Sequence, residues 1–267
     1  ISTINNVPAL DLDADDSSGA VGSDFTTNFV EGGGAILIAD GDASLADVDS
    51  ANLASLTITI TNLLNGAAES LTADTTGTSI TSSYSSGVLT LSGSDTVANY
   101  EQVLRTVRYD NASANPDSTD RIVEFAANDG FADSNTATAT VSISAKNDAP
   151  TLDLDSDDSS GSAGSDFTAN FVEGGGSVLI ADGDAALADL DSANLASLTV
   201  TITNLLDGAA ETLTADTTGT SITASYSSGV LTLSGSDSVA NYEQVLRTVR
   251  YDNASANPDS IDRIVEF

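Results

Sequence analysis

The sequence predicts an all-β protein, a tandem of β-sandwiches with about seven strands and one short helix in each repeat. Three observations lead there. First, the chain repeats itself at a constant offset of 142 residues, aligning Pro8 with Pro150, Glu31 with Glu173, Tyr100 with Tyr242 and Phe125 with Phe267 without a gap. Roughly six residues in seven are identical across the overlap, which marks a tandem duplication. Second, apolar residues alternate with Thr and Ser at Leu56, Ile58 and Ile60 and again at Ala137, Ala139, Val141 and Ile143, the period of a half-buried strand. Third, Gly, Ser, Thr, Asp and Ala dominate while Trp and Met are absent, which suits thin sheets joined by many turns better than a helical core.

The repeat boundaries follow from Lys146-Asn147-Asp148-Ala149-Pro150, which recurs upstream as Ile4-Asn5-Asn6-Val7-Pro8. Residues 1–7 read as the end of a preceding repeat's last strand with its linker. Residues 8–149 form the first repeat, and 150–267 the second, which stops before its last strands. The chain opens on Ile1, as expected of a segment of a longer protein, and nothing there resembles a signal peptide.

Within a repeat, Leu10-Asp11-Leu12-Asp13 begins in alternation and runs into a turn-rich acidic loop that ends at Gly19. Two extended pieces flank Gly32-Gly33-Gly34, where a hairpin or bulge is expected. After the strand at Leu56 to Ile60, a turn at Tyr84-Ser85-Ser86-Gly87 leads into a further strand through Leu89 and Leu91. Val97, Tyr100, Leu104 and Val107 then fall at helical spacing behind Ser94-Asp95, either of which suits an N-cap. This helix is expected to pack its apolar face across one end of the sandwich, with Arg105 and Arg108 pairing nearby acids. A strand near Arg108-Tyr109 and two more, through Val123 to Ala127 and Ala137 to Ile143, complete the unit.

Composition excludes several functions. With no histidine and no cysteine, the commonest general base, zinc ligands, disulfides and thiol chemistry are all missing. Forty acidic residues against seven basic ones, a formal net charge of −33, argue against nucleic acid or an anionic membrane as partner. No apolar run approaches the ~20 residues of a membrane helix. Carboxylates in exposed turns serve as metal ligands or solubilising charge far more often than as an acid/base pair, so no enzymatic activity is expected.

A divalent cation is the natural counterpart of such charge. The acids and amides gathered in turns and seams are Glu31, Asp40, Asp42, Asp47, Asp49, Glu101, Asp129, Asn147 and Asp148. Calcium accepts six to eight oxygens in tolerant geometry, whereas magnesium demands a strict octahedron, so Ca2+ is the expected ion. None of these groups has EF-hand spacing, and Asp40-Gly41-Asp42 is equally the signature of a plain turn.

Taken together, several pieces carry a resemblance. Val30-Glu31, Asp47-Val48-Asp49-Ser50-Ala51-Asn52 before a strand, Phe125-Ala126-Ala127-Asn128-Asp129-Gly130 and Asn147-Asp148-Ala149-Pro150 look like the early Glu, the D-x-D segment, the A-x-D-G turn and the N-D linker of cadherin repeats. The whole unit resembles the cadherin-like tandem repeats of large bacterial surface adhesins of the type I secreted, RTX type. The resemblance implies Ig-like or cadherin-like sandwiches in a secreted, extracellular array at the bacterial surface, with calcium at the junctions stiffening a rod. By the same carry-over, the junction draws on Glu31, Asn147, Asp148, Asp189 and Asp191, with Glu101 as a further contributor and Glu173 as the second repeat's counterpart of Glu31. Two departures from the cadherin pattern stand out. Ala145 replaces the acid expected two positions before the linker Asn, and Asn6 stands where the later seam has Asp148, so the first seam has the poorer ligand set.

Three functional readings follow. The first is a non-catalytic, calcium-rigidified extender of a surface adhesin, whose partners are neighbouring repeats. The second is a filament subunit joined head to tail, in which Ile1-Ser2-Thr3-Ile4 completes a neighbour's sandwich by strand complementation. The third is a calcium-dependent glycan-binding module.

Overall fold

The computed structural model describes residues 5–267; Ile1 to Ile4, the expected donor strand, lie outside the described residues. The chain divides into two compact units between Lys146 and Asn147. Both are built from β-strands with one short α-helix each, so the all-β sandwich class read from the sequence holds.

In the first unit the strands are β1 (Ala9–Asp11), β2 (Phe25–Val30), β3 (Ile36–Leu37), β4 (Ser44–Ala46), β5 (Asn52–Ile60), β6 (Glu69–Thr72), β7 (Thr81–Ser85) and β8 (Val88–Thr96). Helix α1 (Val97–Leu104) follows, then β9 (Arg108–Asn111), β10 (Arg121–Asn128) and β11 (Ala137–Ser144). Among the described residues, eleven strands replace the expected seven or so, because several are pieces of two to four residues that alternation alone does not register. A six-stranded sheet in the order β2-β11-β10-β5-β8-β7 is joined by a three-stranded sheet β3-β9-β6 and a β1-β4 pair. Their inner faces share one apolar core, in which Leu56, Ile58, Leu91, Tyr100, Val123 and Phe125 are fully buried.

Local chemistry explains the element ends. Ser86 and Gly87, both at positive φ (49° and 85°), form the two-residue loop between β7 and β8. Left-handed geometry at both positions matches the twist of a tight hairpin. The segment around Gly32-Gly33-Gly34 is not a hairpin. β2 and β3 belong to different sheets, and a turn closed by Gly33 N–H to the Val30 carbonyl (2.9 Å) carries the chain from one layer to the other. The N-cap of α1 is Thr96, one residue beyond the expected Ser94-Asp95; its side chain accepts from Asn99 N–H at 3.2 Å. Asp95 supports the cap by accepting from Thr96 N–H and the Asn99 amide. The helix begins where the spacing placed it and buries Tyr100, Val103 and Leu104, but it ends at Leu104; Val107, expected on its last turn, lies beyond the helix and is buried from the connection to β9. Arg105 pairs with Glu101 at 2.7 Å. Arg108 does not follow the expected pattern of pairing with an acid and donates to the Ala35 carbonyl.

The second unit repeats this plan with β12 (Thr151–Asp153), β13 (Val178–Leu179), β14 (Ala186–Ala188), β15 (Asn194–Ile202), β16 (Glu211–Thr214), β17 (Thr223–Ser227), β18 (Val230–Ser238), α2 (Val239–Leu246), β19 (Arg250–Asn253) and β20 (Val265–Glu266). Its sheets are β17-β18-β15-β20, β13-β19-β16 and β12-β14. The counterpart of β2, residues 167–172, forms no strand. In the first unit β2 pairs in parallel with β11, Ala139 opposite Phe25 through Ser144 opposite Val30.

Candidate metal centres

Each unit gathers carboxylates in one loop cluster. In the first, Asp13, Asp40 and Asp42 each bring an oxygen within 4.8 Å of the others; in the second, Asp155, Asp157 and Asp184 do the same. β1 ends at Asp11, and the chain then turns inward instead of continuing the alternation. Asp13 is consequently 0% exposed. Its carboxylate is met by Ser18 N–H at 2.8 Å and by Ser17 N–H at 3.0 Å. The Ser18 side chain first, and then these N–H groups, hold its pKa below the ordinary carboxylate value. Asp42 behaves oppositely. Burial, followed by the negative charges of Asp15, Asp40 and Asp13, raises its pKa. Asp184 is raised for the same reasons, burial first and then Asp157 and Asp182. Crowded carboxylates of this kind repel one another until a cation neutralises them.

The donor set fits a hard cation. It consists of carboxylate oxygens on loops, the ligand class of calcium. Asp184 Oδ1 is buried and has no hydrogen-bond partner, the condition of an atom whose natural partner is an ion or water.

The seam residues form a separate group in each unit. In the first, Asn6 N–H reaches both oxygens of Asp49 (3.1 and 3.2 Å) and the Asn5 amide donates to Asp129 Oδ2 at 2.8 Å. Asp129 also accepts from Phe131 and Ala132 N–H. These bonds, led by the Ala132 N–H, keep its pKa low. Asp47 uses Oδ1 for Asp49 and Ser50 N–H, while its Oδ2 is buried without a partner. In the second unit Asp148 N–H donates to Asp191 Oδ2 at 2.9 Å, which lowers the Asp191 pKa. Asp189 accepts from Asp191 and Ser192 N–H. Asp148 Oδ2, like Asp47 Oδ2, is buried and unpartnered, and the Asn147 amide donates to the Asp148 carbonyl.

Asp47 and Asp49 are thus brought to the first seam with Asp129, and Asp148, Asp189 and Asp191 come together in the second unit. Glu31 accepts from Lys146 N–H at 2.7 Å, Glu173 is exposed, and both oxygens of Glu101 are engaged, one by Arg105 and one by Leu45 N–H. Sequence reasoning singled out neither Asp13 nor its partners in the second copy, Asp155, Asp157 and Asp184. A legible signal was the run Asp13-Ala14-Asp15-Asp16-Ser17-Ser18-Gly19, whose serines present N–H groups back to the first Asp.

The fold and these sites define an all-β protein of tandem sandwich units carrying acidic loops. No protein-family model matches the chain, and no curated protein matches it. Among solved structures it is matched to the C-terminal domain of the AgI/II polypeptide BspA of Streptococcus agalactiae, at 11% identity over 75% of this chain and 73% of that one. The TM-score is 0.18, and a likeness at that level carries no argument about fold or function.

Proposed function

We propose that the chain is a non-catalytic structural repeat of an extracellular surface protein, an adhesin-like extender whose units are stiffened by calcium. The observation that carries this is the loop cluster, which each copy builds around a buried Asp, Asp13 or Asp155, with three carboxylate oxygens within 4.8 Å of one another. Calcium neutralises Asp13, Asp40 and Asp42, and Asp155, Asp157 and Asp184, and adds its binding energy to the folded state. The seam sets Asp47 with Asp49 and Asp148 with Asp189 and Asp191 act in the same way on the segments that enter each unit. Extracellular calcium modules work at dissociation constants of about 0.1–1 mM, which suits a protein acting as a stiffener in a calcium-rich medium. Strong negative charge keeps such an array soluble, and near-identity of the copies suits a spacer that gains reach by duplication.

Melting curves and hydrodynamic radius in calcium and in chelator test this reading. Calcium at 100 times its dissociation constant should stabilise the fold by about 2.7 kcal/mol per site. Asp42→Asn and Asp184→Asn should each blunt the rise. A melting curve and radius that chelator leaves unchanged sink the calcium reading.

A further inference from the structure

β7 and β17 occupy the same end of the same sheet in the two units, and among the described residues each pairs with one strand alone, β8 or β18. Ser85 and Val88 close the two-residue loop as a bonded pair, so Ser83 and Thr81 also turn their main chains toward β8, and those of Ser82 and Tyr84 face outward. Tyr84 anchors the strand to the other sheet by donating its hydroxyl to the Glu69 carbonyl at 2.8 Å. The remaining residues of β7 are exposed. β17 has the same exposure pattern, and Tyr226 donates to the Glu211 carbonyl at 2.7 Å.

Other edges of the unit are guarded. β2 runs between Asp24 and Glu31, β6 begins at Glu69 and is followed by Asp74, and β3 has two residues. Charge and shortness of this kind keep an edge from recruiting another strand. β7 has neither protection. Residues 75–94 carry no charged side chain and no proline, and neither do residues 217–236, in a chain of net charge −33. The neutral zone also reaches into the sheet. Ser85 lies opposite Val88, Val88 opposite Thr59 and Thr59 opposite Glu124, so the first acid in that row stands three strand spacings, about 14 Å, from the edge strand. That exceeds the screening length of about 8 Å at physiological salt.

We infer that β7 and β17 are lateral docking edges, and that the occupant of each is the same edge of a second copy, β7 against β7 and β17 against β17, paired antiparallel about a two-fold axis. A second copy fits because two chains of the same strong negative charge meet along this strip without setting carboxylate against carboxylate. The outward N–H and C=O groups of Ser82 and Tyr84, and of Ala224 and Tyr226, supply the bonds. Association of this kind joins chains side by side, which goes beyond an end-to-end array of repeats.

Sedimentation velocity of the full 267-residue chain up to millimolar concentration tests this, in calcium and again in chelator so that its outcome is separate from that of the metal reading. The expected result is concentration-dependent self-association in both, stronger in about 0.5 M than in about 0.05 M NaCl because salt screens the residual repulsion. Ser82 and Tyr84 N–H should gain hydrogen-exchange protection as concentration rises. The double variant Ser83→Glu with Ser225→Glu alters exposed positions, sets like charges across the pairing and should associate more than about tenfold more weakly. Ser118→Glu with Ser260→Glu makes the same charge change in exposed loops and should associate as the parent does. A chain that stays monomeric at every concentration and salt overturns the inference, and so does association that needs calcium. Equal association by the edge variant, equal weakening by the loop variant, or protection that appears away from β7 and β17 overturns it as well. If the edge variant melts below the parent, the protection pattern of the unaltered chain decides.

Discussion

Glu69 is the polar centre of the first unit. It is buried, accepts from the Tyr109 hydroxyl at 2.8 Å and is ion-paired with Arg121, whose side chain is equally buried. Asn65 closes the network by receiving Arg121 Nη2–H and donating its own N–H to Glu69. Burial and the Glu69 carboxylate push the Tyr109 pKa up, so that its hydroxyl remains a donor. Removing one charge from such a pair leaves the other stranded. Glu69→Gln should therefore destabilise the first unit by about 3–5 kcal/mol, read as a lower denaturation midpoint. The double variant Glu69→Leu with Arg121→Met should lose less than the two single changes summed. In the second unit Asp207 stands where the first has Asn65 and pairs directly with Arg263 at 2.6 Å. Sequence reasoning passed over this network because a lone Glu between turn residues carries no periodicity.

Among the elements, the helix caps show how local sequence becomes stability. Asp95 receives Ser79 N–H at 2.6 Å, Thr96 N–H at 2.8 Å and the Asn99 amide at 2.7 Å. These donors, the Ser79 N–H foremost, hold its pKa below the ordinary 3.8, and Asp237 is held low in the same way beside Ser221. A depressed carboxylate contributes stability above its unfolded pKa and loses it as pH falls through the folded one. Asp95→Asn should thus be less stable than the parent at pH 6, with the difference vanishing as pH falls below 3.8 toward the folded value. Urea unfolding across that range checks it, and a pH-independent difference contradicts it. Gly93 makes a second test at this scale. It has φ +132°, and an added Cβ would sit 2.6 Å from the Ser79 carbonyl oxygen. Gly93→Ala should cost about 1–3 kcal/mol in a melting experiment.

Across the whole chain, the duplication builds the same core anchor twice. Leu104 and Leu246, at the ends of α1 and α2, are both fully buried. Leu104→Ala and Leu246→Ala should each cost about 2–5 kcal/mol. Hydrogen exchange read separately in the two units measures both. A loss confined to one of the two variants would contradict the shared core plan.

The sequence alone determined the repeat, the β class, the helix at Val97 and the strand at Ala137, because each is a local periodicity that burial of one face enforces. It also singled out the seam acids as turn residues, but Asn6 meets Asp49 across 43 positions and Asn5 meets Asp129 across 124, so their grouping belongs to the fold. The tertiary structure decided the rest. Alternation placed Asp13 on the same face as half-buried Asp11, but the chain turns after β1 and carries its carboxylate inward onto the serine N–H groups, beside Asp40 and Asp42. That meeting joins residues more than twenty positions apart. The same holds for Glu69, which Tyr109 and Arg121 reach from 40 and 52 positions away, because a buried carboxylate must find its donors wherever the fold brings them.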